Sequence, residues 1–117
     1  MPKGIFIALS NAMSDDVDDE FNEWYDAVHA REMLALPGVR SFRRFRLAPA
    51  QVLPGDEVTR HRYLALYEVD VDDWAAFAAE NQQAFIDGRI TIRPELIELD
   101  PMVLTMAFEE ITAETST

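Results

Sequence analysis

The stretch EFNEWYDAVHAREMLALPGV, residues 20–39, limits the possible folds of this chain more than any other part of the sequence. Read as an α-helix at about 100° per residue, it carries one apolar stripe. The apolar positions are Val17, Phe21, Trp24, Val28 and Ala35. Pro37 and Gly38 end the helix, which we predict over residues 17–36. The pattern therefore predicts an amphipathic helix that buries one face.

A line of polar side chains runs beside the apolar stripe on the same helix. Asn22, Tyr25, His29 and Glu32 are spaced by three, four and three residues, so they are neighbours on a helix surface. Glu32 falls within about 40° of Val28, inside the face that the helix should bury. Polar groups at the rim of a core are typical of a ligand pocket between a helix and a sheet.

Size and composition indicate one ordinary globular domain. The chain has 117 residues, of which 49% are hydrophobic and 10% aromatic. We expect a single domain over residues 1–110 and a frayed tail over residues 111–117. There is no cysteine, so disulfides and thiolate metal sites are excluded. No apolar stretch has the length of a signal peptide core or a membrane span, which predicts a cytoplasmic protein.

The formal net charge is −12, from 22 acidic and 10 basic side chains. Nucleic acids and anionic membranes attract basic surfaces, so neither is an expected partner. Most of the basic residues nevertheless lie between Arg31 and Arg62. They are either solvated strand edges that pair with acids or a local positive field for a small anionic substrate.

The remaining periodicities predict the order β-α-β-β-α-β. Strands are expected at residues 3–10, 39–47, 60–70 and 102–108, and a second helix at 73–87, capped by Asp72 or Asp73. The loop at 48–59 is either a lid or a plain hairpin tip. This order is that of a ferredoxin-like α+β fold, a four-stranded antiparallel sheet with two helices on one face. The other face would be a bare apolar patch, so we expect a homodimer that packs sheet against sheet.

The helix also carries a motif. Glu20-Phe21-Asn22-x-Trp24-Tyr25-Asp26-x-x-His29-x-x-Glu32, then Leu36-Pro37-Gly38-Val39 and a strand with Arg44-Phe45, resembles the dimeric α+β barrel superfamily, in particular EthD-like proteins and related bacterial proteins.

The resemblance implies a pocket between sheet and helices of one protomer, beside the polar edge of the first helix. Superfamily members include cofactor-free monooxygenases, polyketide and olivetolate-type cyclases, muconolactone isomerases and haem-binding enzymes. Two histidines and no haem motif separate this chain from the haem-binding relatives. We therefore expect no cofactor.

The candidate catalytic residues are His29, Tyr25 and Glu32. His29 has an ordinary pKa near 6.5 and can exchange a proton at neutral pH. Glu32 could orient it or act as a second base, and Tyr25 could donate to an enolate or carbonyl oxygen. Each has a structural alternative. His29 could tie the helix to the next strand, Tyr25 could be a core residue with a wet tip, and Glu32 could pair with Arg44.

Further side chains are candidates for substrate binding: Asn22, Trp24, Arg44, Tyr63, Tyr67 and Asn81. Helix-start packing is the simpler role for Asn22, and Trp24, like Trp74, has the pattern of a core residue. Asn81 interrupts an apolar stripe, so it either bonds backbone or reaches the cavity. The strand face shared by His61, Tyr63 and Tyr67 either lines the pocket or meets a second copy.

No glycine-rich phosphate loop, histidine pair or nucleophile elbow is present, so nucleotide, metal and triad chemistry are not expected. The sequence predicts an enzyme without a redox cofactor. Its acid/base chemistry would be cyclisation, isomerisation or dehydration of a small cyclic, aromatic or polyketide-like compound. The alternatives are a non-catalytic small-molecule binding protein and a cofactor-independent monooxygenase. A further alternative is a purely structural role, in which the polar line anchors the helix to the sheet and there is no cavity.

Overall fold

The chain folds into a four-stranded antiparallel sheet that carries two helices on one face. The computed structural model describes residues 3–53, 55–57, 59–99 and 103–116. Its strands are β1 (Lys3–Ser10), β2 (Val39–Arg46), β3 (Tyr63–Asp70) and β4 (Leu104–Glu109). Helix α1 covers residues 18–34 after a short 3₁₀ turn at Asp15–Val17, and helix α2 is Trp74–Ile86.

The strands lie in the order β2-β3-β1-β4, and every neighbouring pair is antiparallel. This topology confirms the predicted ferredoxin-like fold. The predicted start of β3 was wrong, because β3 begins at Tyr63 and not at residue 60. The other predicted boundaries within the described residues agree with the structure to within two residues. The predicted start of β4 at Met102, and Pro54 and Val58 of the predicted loop, lie outside the described residues.

Side chains on β3 show which face of the sheet meets the helices. Tyr63, Ala65, Tyr67 and Val69 alternate along the strand and are all buried. Because successive side chains of a strand point to opposite faces, this set belongs to one face, called here the inner face. The sequence left open whether the tyrosines point to the helices or to a second copy, and the structure places them under the helices.

The outer face of the sheet is covered by neither helix and is largely apolar, although Glu68 and Arg43 also lie on it. Its residues follow from the register, which pairs Ile5 with Phe108, Ile7 with Met106 and Leu9 with Leu104. Leu64 and Leu66 of β3 continue the same surface. Phe108 is 49% exposed and Met106 39% exposed. A patch of this kind is unusual on an isolated monomer.

Helix α1 is not a regular α-helix. It is α-helical at Asp18–Trp24, π-helical at Tyr25–His29, and α-helical again at Ala30–Leu34. A π-helical turn takes in one extra residue and is a rare feature of protein helices. Residues five apart then become neighbours, and the ring of Trp24 stacks on that of His29 with centroids 5.1 Å apart.

The extra residue moves the buried stripe by one position. Phe21 and Trp24 are buried as predicted, but Val28 is 42% exposed, and Ala35 is exposed too. His29 and Met33 are buried in their place. The predicted apolar stripe was therefore wrong after Trp24, because it assumed a constant 100° per residue.

The ends of both helices agree with their sequence signals. Asp73 caps α2, and its carboxylate accepts hydrogen bonds from the backbone N–H of Ala75 and Ala76. Gly38 follows α1 with φ +88°, where a side chain would be strained. Its carbonyl accepts from the N–H of Asp70 and so joins the helix end to β3. No helix in the described parts of the chain is both long and apolar enough to cross a membrane.

The one-residue shift of the buried stripe of α1 predicts that two truncations differ in their effect on stability. Met33→Ala should lower the free energy of unfolding by about 2–5 kcal/mol, because it leaves a hole in the core. Val28→Ala should cost about 0.5 kcal/mol or less, because that side chain is exposed. Urea unfolding at one fixed protein concentration measures both. A larger loss for Val28→Ala than for Met33→Ala would contradict the shifted register.

Candidate functional site

A cavity of about 470 Å³ lies between the two helices and the inner face of the sheet. Its walls are largely apolar, as in most small-molecule sites. The sheet, the two helices and the connection from α2 to β4 all contribute. The lining residues are Phe6, Ala8, Tyr25, His29, Met33, Tyr67, Ala78, Asn81, Gln82, Phe85, Ile92, Ile97, Leu99, Val103 and Thr105.

The connection from α2 to β4 fixes the imidazole of His29. The carbonyl oxygen of Thr91 lies 3.2 Å from Nδ1 of His29. The backbone N–H and the hydroxyl of Thr91 both donate to the carboxylate of Glu32, at 3.0–3.1 Å. That carboxylate is 3.7 Å from the same Nδ1. Because the hydrogen-bonding atoms at Nδ1 within the described residues are oxygens, the proton of the neutral ring belongs there, and Nε2 is the proton acceptor.

Aromatic rings enclose His29 on two sides. Trp24 stacks on it, and the ring of Tyr25 meets it edge to face at 4.9 Å. His29 is 7% exposed. Burial lowers the pKa of His29, while the Glu32 carboxylate and the Thr91 carbonyl act in the opposite direction. The imidazole is therefore neutral at pH 7 and available as a base.

Two phenols reach the site from different elements. Tyr25 comes from α1 and Tyr67 from β3, and both line the cavity. Burial raises the pKa of both, so both keep their hydroxyl protons at neutral pH. The two phenols interact through their hydroxyls, and the buried hydroxyl of Tyr67 makes no closer hydrogen bond among the described residues. Such a group normally finds a partner, which a ligand oxygen would supply.

Asn81 adds an amide from α2. Its Nδ2 is buried and without a hydrogen-bond partner in the described parts of the chain. The side chain lines the cavity across from α1. Of the two roles considered from the sequence, a bond to backbone through Nδ2 is not made within those residues. The amide N–H groups are thus available to an acceptor atom in the cavity.

Arg44 lies behind the site and not among its lining residues. Its Nη1 donates to Asp26 at 3.0 Å, and its guanidinium stacks over the ring of Tyr25 at 4.4 Å. Its Nε and Nη2 are buried without partners among the described residues and face aromatic rings. Arg44 thus pairs with Asp26, while Glu32 is held by Thr91. The cation stabilises the aromatic wall from outside.

The other predicted binding residues also lie outside the lining. Asn22 donates to the carbonyl of Asp18 at 2.9 Å and to the hydroxyl of Tyr63 at 3.3 Å. The hydroxyl of Tyr63 in turn donates to the Asp18 carboxylate. These residues form a hydrogen-bonded group at the start of α1. Trp24 stacks on the ring of His29 but does not line the cavity. Of the predicted site residues, the structure brings together Tyr25, His29, Tyr67 and Asn81 in the cavity lining, and the carboxylate of Glu32 lies close to His29.

Sequence reasoning missed Thr91, which positions both His29 and Glu32. It lies in an irregular segment without periodicity, 59 residues from Glu32 in the chain. Met33 and Ile97 of the lining were missed too. The π-helical turn displaced Met33 from its expected position, and Ile97 lies in the same irregular connection as Thr91.

The polar groups of the cavity set its chemistry. They are the neutral imidazole of His29, the two protonated phenols, the amides of Asn81 and Gln82, and the hydroxyl of Thr105. This set can accept one proton and donate several hydrogen bonds to oxygen. Within the residues that the structure describes, no group of three or more His, Cys, Asp or Glu side chains could hold a metal ion.

Comparisons with known proteins show the fold. No family model and no curated protein sequence matches the chain. Among solved structures, HapK from Hahella chejuensis is 19% identical, with a TM-score of 0.62, over 97% of this chain and 98% of its own. An ethyl tert-butyl ether D (EthD) family protein from Bacillus halodurans is 14% identical, with a TM-score of 0.54, over 95% of this chain and 100% of its own.

A dimeric ferredoxin-like protein of unknown function from Thermobifida fusca is also similar. It is 14% identical, with a TM-score of 0.54, over 93% of this chain and 92% of its own. These likenesses confirm, at the level of fold, the resemblance to EthD-like dimeric α+β barrel proteins that the sequence indicated. Identities this low carry no function from one protein to another.

The geometry predicts how His29 titrates. Its pKa should lie below 6.5 because burial disfavours the imidazolium. The unfolded chain then takes up the proton first as the pH falls, so this residue lowers stability below about pH 6.5 and has no such effect well above it. NMR of the ring protons gives the pKa, with His61→Gln assigning the signals.

Glu32→Gln should lower the pKa of His29 further, because the carboxylate favours the imidazolium. Glu23→Gln removes an exposed acid of the same helix and should leave the titration unchanged. A pKa of His29 at or above 6.5 in the unmodified protein would contradict the buried, neutral imidazole.

Proposed function

We propose that the protein is a cofactor-independent enzyme that moves a proton next to a carbonyl group of a small cyclic, aromatic or polyketide-like compound. The observation that carries this proposal is the cavity itself. It combines the imidazole of His29, whose Nδ1 faces oxygen atoms so that Nε2 is the proton acceptor, with the buried hydroxyls of Tyr25 and Tyr67. A base and an oxygen-binding donor in one pocket are the minimum for enolisation.

The proposed steps assign one role to each group. Nε2 of His29 removes a proton from the carbon next to the carbonyl. The C–H electron pair becomes the C=C bond of the enolate, and the π electron pair of the C=O bond moves onto the oxygen. A hydroxyl of Tyr25 or Tyr67 donates to the resulting enolate oxygen. The Glu32 carboxylate, 3.7 Å from Nδ1, stabilises the imidazolium. The imidazolium then returns the proton to another carbon in an isomerisation, or to a hydroxyl that leaves as water when its C–O bond breaks in a dehydration. In a cyclisation the enolate carbon forms a C–C bond to a second carbonyl carbon of the same molecule, and the imidazolium protonates the alkoxide that results.

The same fold also suits a non-catalytic small-molecule binding protein. One observation favours this second candidate. Both oxygens of Glu32 accept hydrogen bonds from Thr91, so the carboxylate is not free to act as a second base. A site with a single proton-transfer group can bind a ligand without converting it. A cofactor-independent monooxygenase would need the same base and pocket, with oxygen as the second reactant.

We further propose that the protein is a homodimer formed through the outer face of the sheet. Ile5, Ile7, Leu66, Met106 and Phe108 make that face apolar. A second copy presents the same surface, so the two patches match by symmetry. The dimeric ferredoxin-like protein from Thermobifida fusca has a similar fold, which supports this proposal.

Deuterium exchange tests the proposed chemistry without knowledge of the natural substrate. 2-Tetralone is a bicyclic ketone with an acidic carbon next to its carbonyl. In D₂O the protein should accelerate the exchange of the protons on that carbon for deuterium, which NMR measures as the loss of their signal. His29→Gln should lower the catalysed rate by about 10²–10⁴-fold, the usual contribution of a general base.

The other histidine provides the matched control. His61 is not among the residues that line the cavity, so His61→Gln should leave the exchange rate unchanged. If 2-tetralone shifts the ring signals of His29 but its deuterium exchange is not accelerated, the result would favour the binding protein over the enzyme. Equal exchange in the two variants would contradict the role of His29.

Sedimentation analysis tests the dimer. The protein should sediment at twice its 13.3 kDa chain mass. Met106→Glu should give a monomer, because it places a charge within the apolar part of the outer face. Val52→Glu changes a fully exposed loop residue, 97% exposed, and should leave the dimer intact. A monomeric unmodified protein at micromolar concentration would contradict the proposed interface.

A further inference from the structure

A second cavity adjoins the first along the inner face of β4. Its volume is about 480 Å³, and it lies between α2 and strands β1 and β4. Phe6, Ala78 and Asn81 line both cavities. The remaining lining residues of the second cavity are Trp74, Ala75, Phe77, Ala107 and Glu109.

Small residues keep the floor of the second cavity open. Ala107 of β4 lies opposite Phe6 of β1, and Gly4 lies opposite Glu109. A Cβ atom at Gly4 would clash with the carbonyl oxygen of Phe108 and come within 2.8 Å of the ring of Trp74, so glycine allows the close approach of both β4 and the indole. The outer face of β4, in contrast, carries Leu104, Met106 and Phe108. The two faces of this strand therefore differ in side-chain size.

The two cavities follow one another along β4. Thr105 lines the first cavity and Ala107 the second, and they are two residues apart on one strand. At about 3.4 Å per residue, these two residues are about 7 Å apart along the strand. A flat molecule in the first cavity could thus extend past Phe6 into the second.

The second cavity contains its own unused donor. Nε1 of Trp74 is buried and has no hydrogen-bond partner among the described residues. Nδ2 of Asn81, at the junction of the cavities, is in the same state. Both are donors only, so they call for acceptor atoms on a ligand. Glu109 at the far end carries a carboxylate, which disfavours an anionic end group there.

From these observations we infer that the ligand is an elongated, uncharged molecule of two linked ring systems that occupies both cavities at once. One ring system lies beside His29, the other lies against Trp74, and acceptor atoms meet Asn81 and the indole N–H. This inference rests on the proposed function, because the first cavity is taken as the reaction site, and it adds the size and shape of the substrate.

Chromone and flavone form a matched pair of probes. Flavone is chromone with one further phenyl ring. The chain has two tryptophans, Trp24 beside His29 and Trp74 in the second cavity, so their indole N–H signals in NMR report the two cavities separately. Chromone should shift the His29 and Trp24 signals only. Flavone should also shift the Trp74 signal and bind at least tenfold more tightly.

Ala107→Leu fills the second cavity and should reduce the affinity for flavone to that for chromone, with chromone binding unchanged. Ala79→Leu makes the same change at an exposed position of α2 that lines neither cavity, and should affect neither probe. Circular dichroism checks that both variants are folded.

Two results would overturn the inference alone. The first is that flavone shifts the NMR signals of His29 but not the indole signal of Trp74. The second is that the Ala107→Leu variant binds flavone as tightly as the unmodified protein does. Binding of both probes as expected, with no exchange of 2-tetralone, would overturn the proposed enzyme and leave the two-cavity site intact. If neither probe shifts His29 or Trp74, both the site and the inference are contradicted.

Discussion

The π-helical turn at Tyr25–His29 determines how the candidate site is built. By adding one residue to the turn, it rotates the C-terminal part of α1 so that His29 is buried and Val28 is exposed. Trp24, Tyr25 and His29 then form one aromatic cluster. A regular α-helix would direct Val28 into the core and leave the imidazole nearer its edge. The position of the only histidine in the cavity lining therefore depends on this irregular turn.

Burial alone would make His29 a poor proton acceptor, because a buried imidazolium is costly. The irregular segment around Thr91 compensates for part of this cost. Its carbonyl and the Glu32 carboxylate both face Nδ1, so a positive ring would be stabilised there. The same contacts place the neutral proton on Nδ1. The contacts of His29 and Glu32 with Thr91 therefore set both the tautomer of the imidazole and its affinity for a proton, and they also join α1 to the segment that precedes β4.

The element order could be predicted because periodicity and turn residues are local signals. β1 has the predicted bounds, Asp73 caps α2 as expected, and Tyr25 and His29 were placed on the buried edge of α1. The exposure of Val28 could not be predicted, since nothing in the sequence marks the extra residue of a π-helical turn. Thr91 could not be found either, because its role follows from a contact between segments far apart in the chain.

The tautomer of His29 tests the central claim most directly. Long-range ¹H–¹⁵N correlation of the imidazole at pH 7 distinguishes a protonated from an unprotonated ring nitrogen. The structure predicts a neutral ring with the proton on Nδ1 and an unprotonated Nε2 that can act as the base. A proton on Nε2, or an imidazolium at that pH, would contradict the account, because His29 could then not accept a proton from a ligand in the cavity.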